Sequence, residues 1–478
     1  MENYIKHTKV SPATINSRLI HPITGQKYPN RMAYISLEKY AKDFFTEGAE
    51  PRMIGLAGLR GVGKTTLLWQ IAHFIYENHT KNVFFFNVNA VRNLSGSLFE
   101  ALELFQKEVL GKRFSENTEP IALLFDEVHD DTEWANTLKI LYDEARWCFI
   151  LATGSSALLL NSTADLARRM HIEKIFPFKF TEFITAKTFN SKNTIFPIKG
   201  IMRELRQILF FSETSQELFS KLQPLQNSIQ CYWDEIALLS GNKNAEWTNE
   251  YISYHNIPGF LSFKDKHLIN DSIIELFKRV IQEDIPKIAK IETNTIHTEK
   301  ILYRLAASDE INVESLSATF GIKKDEIYEI IDLLNKAELI NVLLPFGGID
   351  SKLNKARKAF FMSPSLRRAL LSVLYGGEIP LNYRSKLYED ILVLYLKRVI
   401  PNSVLSYSSQ SKQVNPDFIV ETREKPILIE SGLTKKSSRQ IKKYKVDFRY
   451  GLIISFNSNE LTIDENVVFV PFSWFLLL

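Results

Sequence analysis

Residues 58–68 read GLRGVGKTTLL, and this stretch decides how the first part of the chain folds. Before it lies MIGLAG (53–58), an apolar run typical of a short buried strand. After it, TTLLWQIAHFIYENH (65–79) places apolar residues at helical spacing. Glycines between a strand and a helix allow a tight loop whose N–H groups converge on one point, beside the positive end of the helix. The sequence therefore predicts a strand–loop–helix unit that binds phosphate.

The residue types within the loop predict a nucleotide and a metal ion. Gly58, Gly63, Lys64 and Thr65 fit the P-loop pattern G-x-x-x-x-G-K-[ST]. In that pattern the lysine reaches the β- and γ-phosphates and the hydroxyl holds Mg²⁺, so we expect ATP and Mg²⁺ as cofactors. The residues expected to bind the nucleotide are Gly58, Arg60, Gly61, Val62, Gly63, Lys64, Thr65 and Thr66. The alternative is a glycine turn that caps an ordinary helix.

Two neighbouring acids predict hydrolysis as well as binding. PIALLFDEVHDD (120–131) is an apolar strand followed by acids, the Walker B arrangement. Asp126 is expected to hold Mg²⁺ through water, and Glu127 to orient or deprotonate the attacking water. An acidic helix cap after a buried strand is the alternative.

Further catalytic candidates follow in the same order along the chain. WCFILATGSS (147–156) is another buried strand, and Thr153 near its end is a candidate sensor of the γ-phosphate, unless this end only caps a helix through Ser155. Arg168 and Arg169 precede the next strand, where either could serve as an arginine finger in a neighbouring subunit or be a surface residue. The catalytic set is therefore Lys64, Glu127, Thr153, Arg168 and Arg169.

The alternation of strands and helices predicts the fold of this region. NVFFFNVNA (82–90) and HIEKIFPFKF (171–180) add two strands to the three already described. Five strands that alternate with helical segments indicate a parallel α/β sheet with helices on both faces.

The motifs GLRGVGKTTLL, LLFDEVH and ILATGSSALLL, with RR before IFPFKFTEF, resemble those of bacterial and archaeal AAA-type ATPases. In that family the P-loop core is followed by a helical lid, a winged helix and a C-terminal domain related to PD-(D/E)xK nucleases. YISYHNIPGFL (251–261) resembles the family's YLxxGGFP segment, with Asn256 and Ile257 in place of its two glycines.

The resemblance implies five segments. They are an N-terminal segment with a helix (1–50), the P-loop ATPase core (51–183), the helical lid (184–297), the winged helix (298–378) and the α/β restriction-endonuclease-like domain (379–478).

The middle of the chain also has the pattern of a winged helix. Helical stretches at 298–307, 313–319 and 324–337 precede a hairpin around GGIDSKLNKARK (347–358). The third stretch would be the recognition helix, yet it carries Asp325, Glu326, Glu329 and Asp332, which repel phosphate. The wing is more basic, with Lys352, Lys355, Arg357 and Lys358. A packing module without nucleic-acid contact is the alternative.

Three acids in the last segment match the PD-(D/E)xK pattern. Glu389 lies on a predicted helix, and Asp417 and Glu430 on successive strands, so the resemblance implies a second Mg²⁺ site. Gly432 stands where the motif needs lysine, although Lys435 or Lys436 could act from the following loop. Nuclease activity therefore stays open. KKSSRQIKKYKVDFR (435–449) holds seven basic residues and one acid, which fits either a phosphate-contacting face or a solvated helix face.

Composition bounds the remaining choices. The chain has 478 residues, a formal charge of +4 and two distant cysteines, which excludes a disulfide framework and a cysteine-based zinc site. Neither a membrane span nor a signal peptide is evident, so we expect a cytoplasmic protein without a membrane partner. A second RecA-like domain, which a helicase needs, is also absent from the pattern.

Three functions fit these observations. The first is an ATP-hydrolysing switch or motor that acts on or near nucleic acid, DNA rather than RNA, as a homo-oligomer or with a partner protein. The second is an ATP-gated, metal-dependent endonuclease. The third is a regulatory or scaffold ATPase that binds protein partners, for example in a defence or toxin-like module.

Overall fold

The computed structural model describes residues 1–21, 25–154, 166–188, 198–286, 294–354, 356–409, 415–432 and 437–478. The chain divides into two compact units. Unit 1 comprises Met1–Phe176 and Lys336–Glu338, and unit 2 comprises Pro177–Asn335 and Leu339–Leu478. The finer division into five segments stays a prediction.

Unit 1 is built on a five-stranded parallel sheet with the strand order β2-β3-β4-β1-β5. Its strands are β1 (Met53–Ala57), β2 (Val83–Asn87), β3 (Ile121–Asp126), β4 (Cys148–Thr153) and β5 (His171–Lys174). Every residue of β1, β3 and β4 is buried, which explains their continuous apolar sequences, because a central parallel strand is covered on both faces. The predicted α/β fold is confirmed.

Helices connect these strands and cover the sheet. They are α1 (Glu2–Lys6), α2 (Pro12–Leu19), α3 (Ala33–Glu47), α4 (Lys64–Asn78), α5 (Val88–Asn93), α6 (Leu98–Phe105) and α7 (Trp134–Glu144). The segment before α2 covers edge strand β2, because Val10 N–H donates to the Val83 carbonyl and Phe85 N–H to the Thr8 carbonyl, at 2.9 and 2.8 Å. The backbone groups at the outer side of edge strand β2 thus have hydrogen-bond partners in this segment.

Unit 2 contains a nine-stranded sheet with the order β13-β14-β12-β11-β10-β9-β7-β8-β6. Its strands are β6 (Glu310–Ile311), β7 (Ile340–Pro345), β8 (Arg357–Phe361), β9 (Val404–Tyr407), β10 (Phe418–Glu421), β11 (Ile427–Gly432), β12 (Gly451–Ser455), β13 (Thr462–Asp464) and β14 (Val467–Pro471). Strands β7 and β9 pair in parallel, with Leu344 opposite Ser406. The wing strands and the C-terminal strands, which the sequence assigns to separate segments, therefore share one sheet.

The helices of unit 2 precede and surround this sheet. They are α8 (Phe180–Thr188), α9 (Lys199–Phe211), α10 (Ser215–Leu222), α11 (Leu225–Ser240), α12 (Asn244–Glu250), α13 (Lys266–Arg279), α14 (Thr295–Ala307), α15 (Val313–Phe320), α16 (Lys324–Lys336), α17 (Ile349–Asn354), α18 (Pro364–Leu374), α19 (Arg384–Val399), α20 (Arg439–Lys442) and α21 (Phe472–Phe475). The three helical stretches predicted at 298–337 are present as α14, α15 and α16. A membrane crossing needs a long apolar helix, and none occurs among the helices in the ranges given above.

Candidate functional site

The phosphate-binding loop lies directly between β1 and α4, where the motif predicts it. At Gly58 a Cβ atom would lie 2.3 Å from the Ile175 carbonyl oxygen, so only glycine fits. Gly63 has φ +91°, a left-handed conformation that side chains disfavour. The Lys64 Nζ donates to the carbonyls of Gly58 and Leu59 at 2.8 and 3.1 Å, so the loop curls around the lysine.

The carboxylate of Asp126 joins residues from three elements. Thr65, on the first turn of α4, donates its hydroxyl to both Asp126 oxygens at 3.0 and 3.1 Å. Thr153, at the end of β4, donates to Asp126 Oδ1 at 2.6 Å and accepts from the Glu127 N–H at 2.9 Å. These residues meet because β3, β4 and β1 are neighbouring parallel strands whose carboxyl ends share one edge of the sheet. The structure thus brings together four predicted site residues: Thr65, Asp126, Glu127 and Thr153.

Burial shifts the pKa values of two charged groups at this site. It raises the pKa of Glu127, and the neighbouring carboxylates of Asp126 and Asp130 add to the effect. It also lowers the pKa of Lys64 to about 8. A general base works best when its pKa approaches the working pH, and the negative charge of a triphosphate favours the protonated lysine. The raised pKa of Glu127 thus suits a general base, whereas the lowered pKa of Lys64 is one that a bound triphosphate would raise again.

The remaining loop residues occupy distinct environments. Val62 is fully buried, whereas Gly61, with φ +82°, is exposed. Arg60 and Thr66 are half-buried. The Arg60 charge acts against the raised pKa of Glu127, which places this cation at the same site.

The last acids of the DEVHDD stretch have structural partners. Asp130 accepts from the Asn89 side chain at 2.9 Å, and Asp131 accepts from the Leu98 N–H at 2.6 Å. The feature that sets Glu127 apart is its backbone: it adopts a left-handed conformation with φ +56° directly after β3.

Arg168 and Arg169 lie at the amino ends of the parallel strands, whereas the loop lies at their carboxyl ends. They precede β5, which runs parallel to β1, whereas the loop follows β1, so a strand length of about 13 Å separates the two. Arg169 forms a two-point ion pair with Asp143 at 2.8 and 3.1 Å, and Arg168 is exposed. Neither arginine is close to the Lys64 of its own chain. A role in a neighbouring subunit remains a prediction.

Sequence reasoning missed Arg31. This buried residue, just before α3, donates to the carbonyls of Val62, within the loop, and Phe176. Gln70 on α4 similarly holds the preceding segment, through the carbonyls of Tyr28 and Pro29 at 3.3 and 3.1 Å. The sequence offered no motif for either contact, since the partners are backbone oxygens.

The acids of the predicted nuclease-like site lie in unit 2. Asp417 Oδ2 accepts from the Ser431 N–H and hydroxyl, both at 2.8 Å, and Glu430 is buried. Burial raises the pKa of Glu389 to about 8, with contributions from Asp309 and Asp417. Across the ranges that the structure describes, no three His, Cys, Asp or Glu side chains are grouped to hold a metal ion. Lys435 and Lys436 lie outside those ranges.

A buried ionic network beside Glu389 was also missed. Arg367 on α18 is fully buried and binds Asp390 on α19 through two hydrogen bonds of 2.7 and 2.9 Å. It also contacts Asp309 at 2.9 Å, and Lys386 binds the second Asp309 oxygen at 2.5 Å. The network ties α18 and α19 to the segment between α14 and β6.

Many of the basic residues singled out in the sequence are engaged by neighbouring side chains. In the wing, Lys352 pairs with Glu421 at 2.9 Å. In the 435–449 stretch, Lys442 pairs with Asp464 at 2.7 Å and Arg449 with Glu424 at 3.2 Å. Lys355 lies outside the described residues.

On α16, the supposed recognition helix, the side chains of Asp325, Glu329 and Asp332 are exposed. Asn256, which replaces a family glycine, is fully buried and donates from its side chain to the Phe178 carbonyl at 2.9 Å, within unit 2.

Comparisons with other proteins agree with this site. Residues 50–184 match the AAA domain family AAA_14, and residues 249–375 match a domain of unknown function, DUF8612. The uncharacterized protein MJ1637 of Methanocaldococcus jannaschii is 30% identical over 443 residues, which cover 91% of this chain and 87% of that protein. The uncharacterized protein MJ1544 of the same organism is 23% identical over 453 residues, 87% of this chain and 86% of that protein.

Solved structures are more distantly similar. The Aeropyrum pernix ORC1 protein in complex with DNA has 12% identity and a TM-score of 0.30, covering 75% of this chain and 97% of that chain. The Thermotoga maritima RuvB Holliday junction branch migration motor has 14% identity and a TM-score of 0.29, covering 74% and 96%. With its P-loop site inside the matched AAA domain and its similarity to MJ1637 over nearly the whole length, the chain belongs to the family of that archaeal protein.

Proposed function

We propose that this protein is an ATP-binding and ATP-hydrolysing AAA-type switch or motor that acts on or near nucleic acid. The observation that carries the proposal is the shared carboxylate of Asp126, which accepts hydrogen bonds from Thr65 of the P-loop helix and Thr153 of the neighbouring strand. This arrangement unites the predicted phosphate-binding, metal-binding and sensor residues at one edge of the sheet.

The donor set at this edge suits Mg²⁺. The Thr65 hydroxyl and the Asp126 carboxylate are hard oxygen ligands 3.0 Å apart, and Mg²⁺ prefers such ligands together with water and substrate phosphates. When bound, Mg²⁺ would neutralise charge on the β- and γ-phosphates. Lys64 would bind the same phosphates once its Nζ turns from the loop carbonyls to the substrate.

Glu127 would take a proton from the attacking water. Its raised pKa makes it a stronger base than an ordinary carboxylate, and its left-handed backbone turns its side chain away from the direction set by the strand. Thr153 would report the state of the site, since its hydroxyl contacts both the Asp126 carboxylate and the Glu127 backbone. A movement of either acid would therefore change the hydrogen bonds of Thr153 on β4.

The position of the arginines favours action as an oligomer. Because Arg168 and Arg169 lie at the sheet edge opposite their own P-loop, either could complete a site only in a neighbouring subunit. Arg168 is the better candidate, since its side chain is exposed whereas Arg169 is paired with Asp143.

The element order in unit 2 supports the winged-helix reading. Helix α14, strand β6, helices α15 and α16, and strands β7 and β8 follow one another, and β6, β8 and β7 are antiparallel neighbours. This is the helix–strand–helix–helix–hairpin order expected of such a domain. Nucleic-acid action, DNA rather than RNA, rests on this order.

One observation favours a second candidate, a regulatory or scaffold ATPase whose unit 2 binds protein partners. The outer face of α16 exposes Asp325, Glu329 and Asp332, and a negative face repels the phosphates that a recognition helix must approach. The pairing of Lys352 with Glu421 also reduces the positive charge of the wing.

Nucleotide uptake and its coupling to nucleic acid test the proposal together. Calorimetry with ATP and Mg²⁺ is expected to show saturable binding, and turnover is expected to rise with double-stranded DNA at low salt and to lose this stimulation at high salt. Absence of ATP binding would contradict the proposal. Turnover unaffected by DNA or RNA at either salt concentration would favour the second candidate.

The endonuclease alternative has its own test. Incubation of DNA with Mg²⁺ and ATP, for the wild type and Glu430→Ala, would support cleavage only if products form and the variant loses them. We do not extend the proposal to cleavage, because the described side chains include no metal-binding group of three acids.

A further inference from the structure

Arg31 lies in the N-terminal segment, outside every motif of the nucleotide site, yet it contacts the phosphate-binding loop. Its side chain is 8% exposed, and one guanidinium nitrogen, Nη1, donates to the Val62 carbonyl within the loop. A second, Nη2, donates to the Phe176 carbonyl at 2.9 Å. The residue thus holds two backbone oxygens with the two ends of one planar group.

The contact with Val62 fixes the direction of one N–H group of the loop. In a trans peptide the carbonyl of one residue and the N–H of the next point in opposite directions. With the Val62 carbonyl held by Arg31, the Gly63 N–H therefore points away from the guanidinium. Gly63 has φ +91° and no side chain, so without this hold its peptide can rotate at little steric cost.

The contact with Phe176 fixes the other side of the same loop. Phe176 follows Ile175. The Ile175 carbonyl oxygen would lie only 2.3 Å from a Cβ atom at Gly58, so it packs directly against that glycine. The Ile175 N–H in turn donates to the Ala57 carbonyl at 2.7 Å. Arg31 therefore connects the end of the loop, through Val62, to the chain segment that confines its beginning.

We propose that Arg31 is a positioning residue of the nucleotide site, which holds the Val62 peptide so that the Gly63 N–H faces the phosphates. The inference rests on the proposed ATP-binding function and adds to it a residue that acts through the backbone. It concerns the phosphate end of the ligand, since the Val62 and Phe176 contacts are made to the loop and to its neighbour.

The test compares ATP with inorganic tripolyphosphate, which carries the phosphates alone. Arg31→Met keeps the length of the side chain and removes the donors, and it is expected to weaken binding of both ligands by a similar factor, about tenfold or more. Arg31→Lys keeps the charge but lacks the planar fork, so its affinities are expected to lie between those of the wild type and the methionine variant. Calorimetry at 25 °C measures the dissociation constants of the wild type and both variants for the two ligands.

Arg52→Met is the matched control. Arg52 is also a buried arginine of unit 1 that donates to two backbone carbonyls, those of Ala145 and Tyr142, at 2.9 and 2.8 Å. It precedes β1 and so lies at the sheet edge away from the loop. Its replacement is expected to lower the unfolding temperature without changing either dissociation constant, which separates positioning from general stability.

The outcomes distinguish this inference from the proposed function. Wild-type binding of both ligands, with unchanged dissociation constants in folded Arg31→Met, overturns the inference alone. Weakened binding of ATP with unchanged binding of tripolyphosphate also overturns it, because the residue would then act at the base or sugar. A wild type that binds neither ligand overturns the proposed function and the inference with it.

Discussion

The nucleotide site of unit 1 and the acidic cluster of unit 2 use the same residue types in similar positions. Both have carboxylates on or beside buried strands, Asp126 and Glu127 in one and Asp417 and Glu430 in the other. In unit 1 the partners of Asp126 are hydroxyls, which Mg²⁺ and phosphate chemistry also require. In unit 2 one Asp417 oxygen accepts two hydrogen bonds from Ser431, and the neighbouring Asp390 is bound by a buried arginine.

The two sites also differ in strand direction. Parallel neighbours in unit 1 bring the carboxyl ends of β1, β3 and β4 to one edge, with a helix N-terminus beside them. In unit 2, β10 and β11 are antiparallel with Phe418 opposite Ile429, and this register places Asp417, just before β10, beside Glu430 within β11. The same residue types therefore have different surroundings: the N-terminus of α4 and two threonine hydroxyls lie beside Asp126, and a serine N–H and hydroxyl lie beside Asp417.

Lys64→Ala should cause the largest change and would test the functional side of this comparison. The variant loses the cation that binds the β- and γ-phosphates, so turnover should fall by about a thousandfold or more, and calorimetry should detect little ATP binding. Lys39→Ala, at an exposed position in unit 1, is the control and should match the wild type. Undiminished turnover in Lys64→Ala would contradict the assignment of Lys64 to phosphate binding.

Arg367→Met would test the structural side. The variant leaves Asp390 buried without its cation and Asp309 with Lys386 alone, which should lower the free energy of unfolding by about 3–5 kcal/mol. Urea denaturation measures this change, with Arg423→Met, at an exposed arginine of unit 2, as the control. A loss no greater than the control's would show that the network is not structural.

Glu127→Gln should separate binding from hydrolysis within unit 1. Glutamine preserves size and loses the basic carboxylate, so turnover should fall by about a hundredfold while ATP binding is retained. Single-turnover and binding measurements on the same preparation would show this split. A variant with wild-type turnover would remove Glu127 from the mechanism.

Glu389→Gln should cause a change that depends on pH and is absent in acid. Because the folded pKa of Glu389, about 8, lies above its ordinary value of 4.5, its protonated form stabilises the fold below about pH 4.5, and this contribution is lost as the pH rises through about 8. The wild type should therefore lose stability relative to Glu389→Gln between these values.

Urea unfolding at pH 5 and pH 8.5 would measure this loss, with Glu378→Gln at an exposed position as the control. Parallel stabilities of the wild type and Glu389→Gln would mean that the carboxyl is solvated. Asp309, Asp417, Lys386 and Arg367 are the charged groups that act on Glu389.

The sequence predicted the parallel sheet of unit 1 better than the organisation of unit 2. Gly58, Lys64 and Thr65 are close in the chain, and Asp126 and Thr153 follow apolar strands, so short patterns were sufficient to place them. The shared sheet of β7 and β9 was not foreseen, since strand pairing across about sixty residues leaves no local pattern.

By itself the sequence determined the strand–loop–helix geometry of the P-loop motif, because glycine conformation, helix polarity and the order of polar residues after apolar strands act over a few positions. Only the tertiary structure decided that Arg31 holds the loop and that Arg367 binds Asp390 and Asp309. Those contacts join residues far apart in the chain, and the partners of a buried charge are set by the packing that excludes water from it.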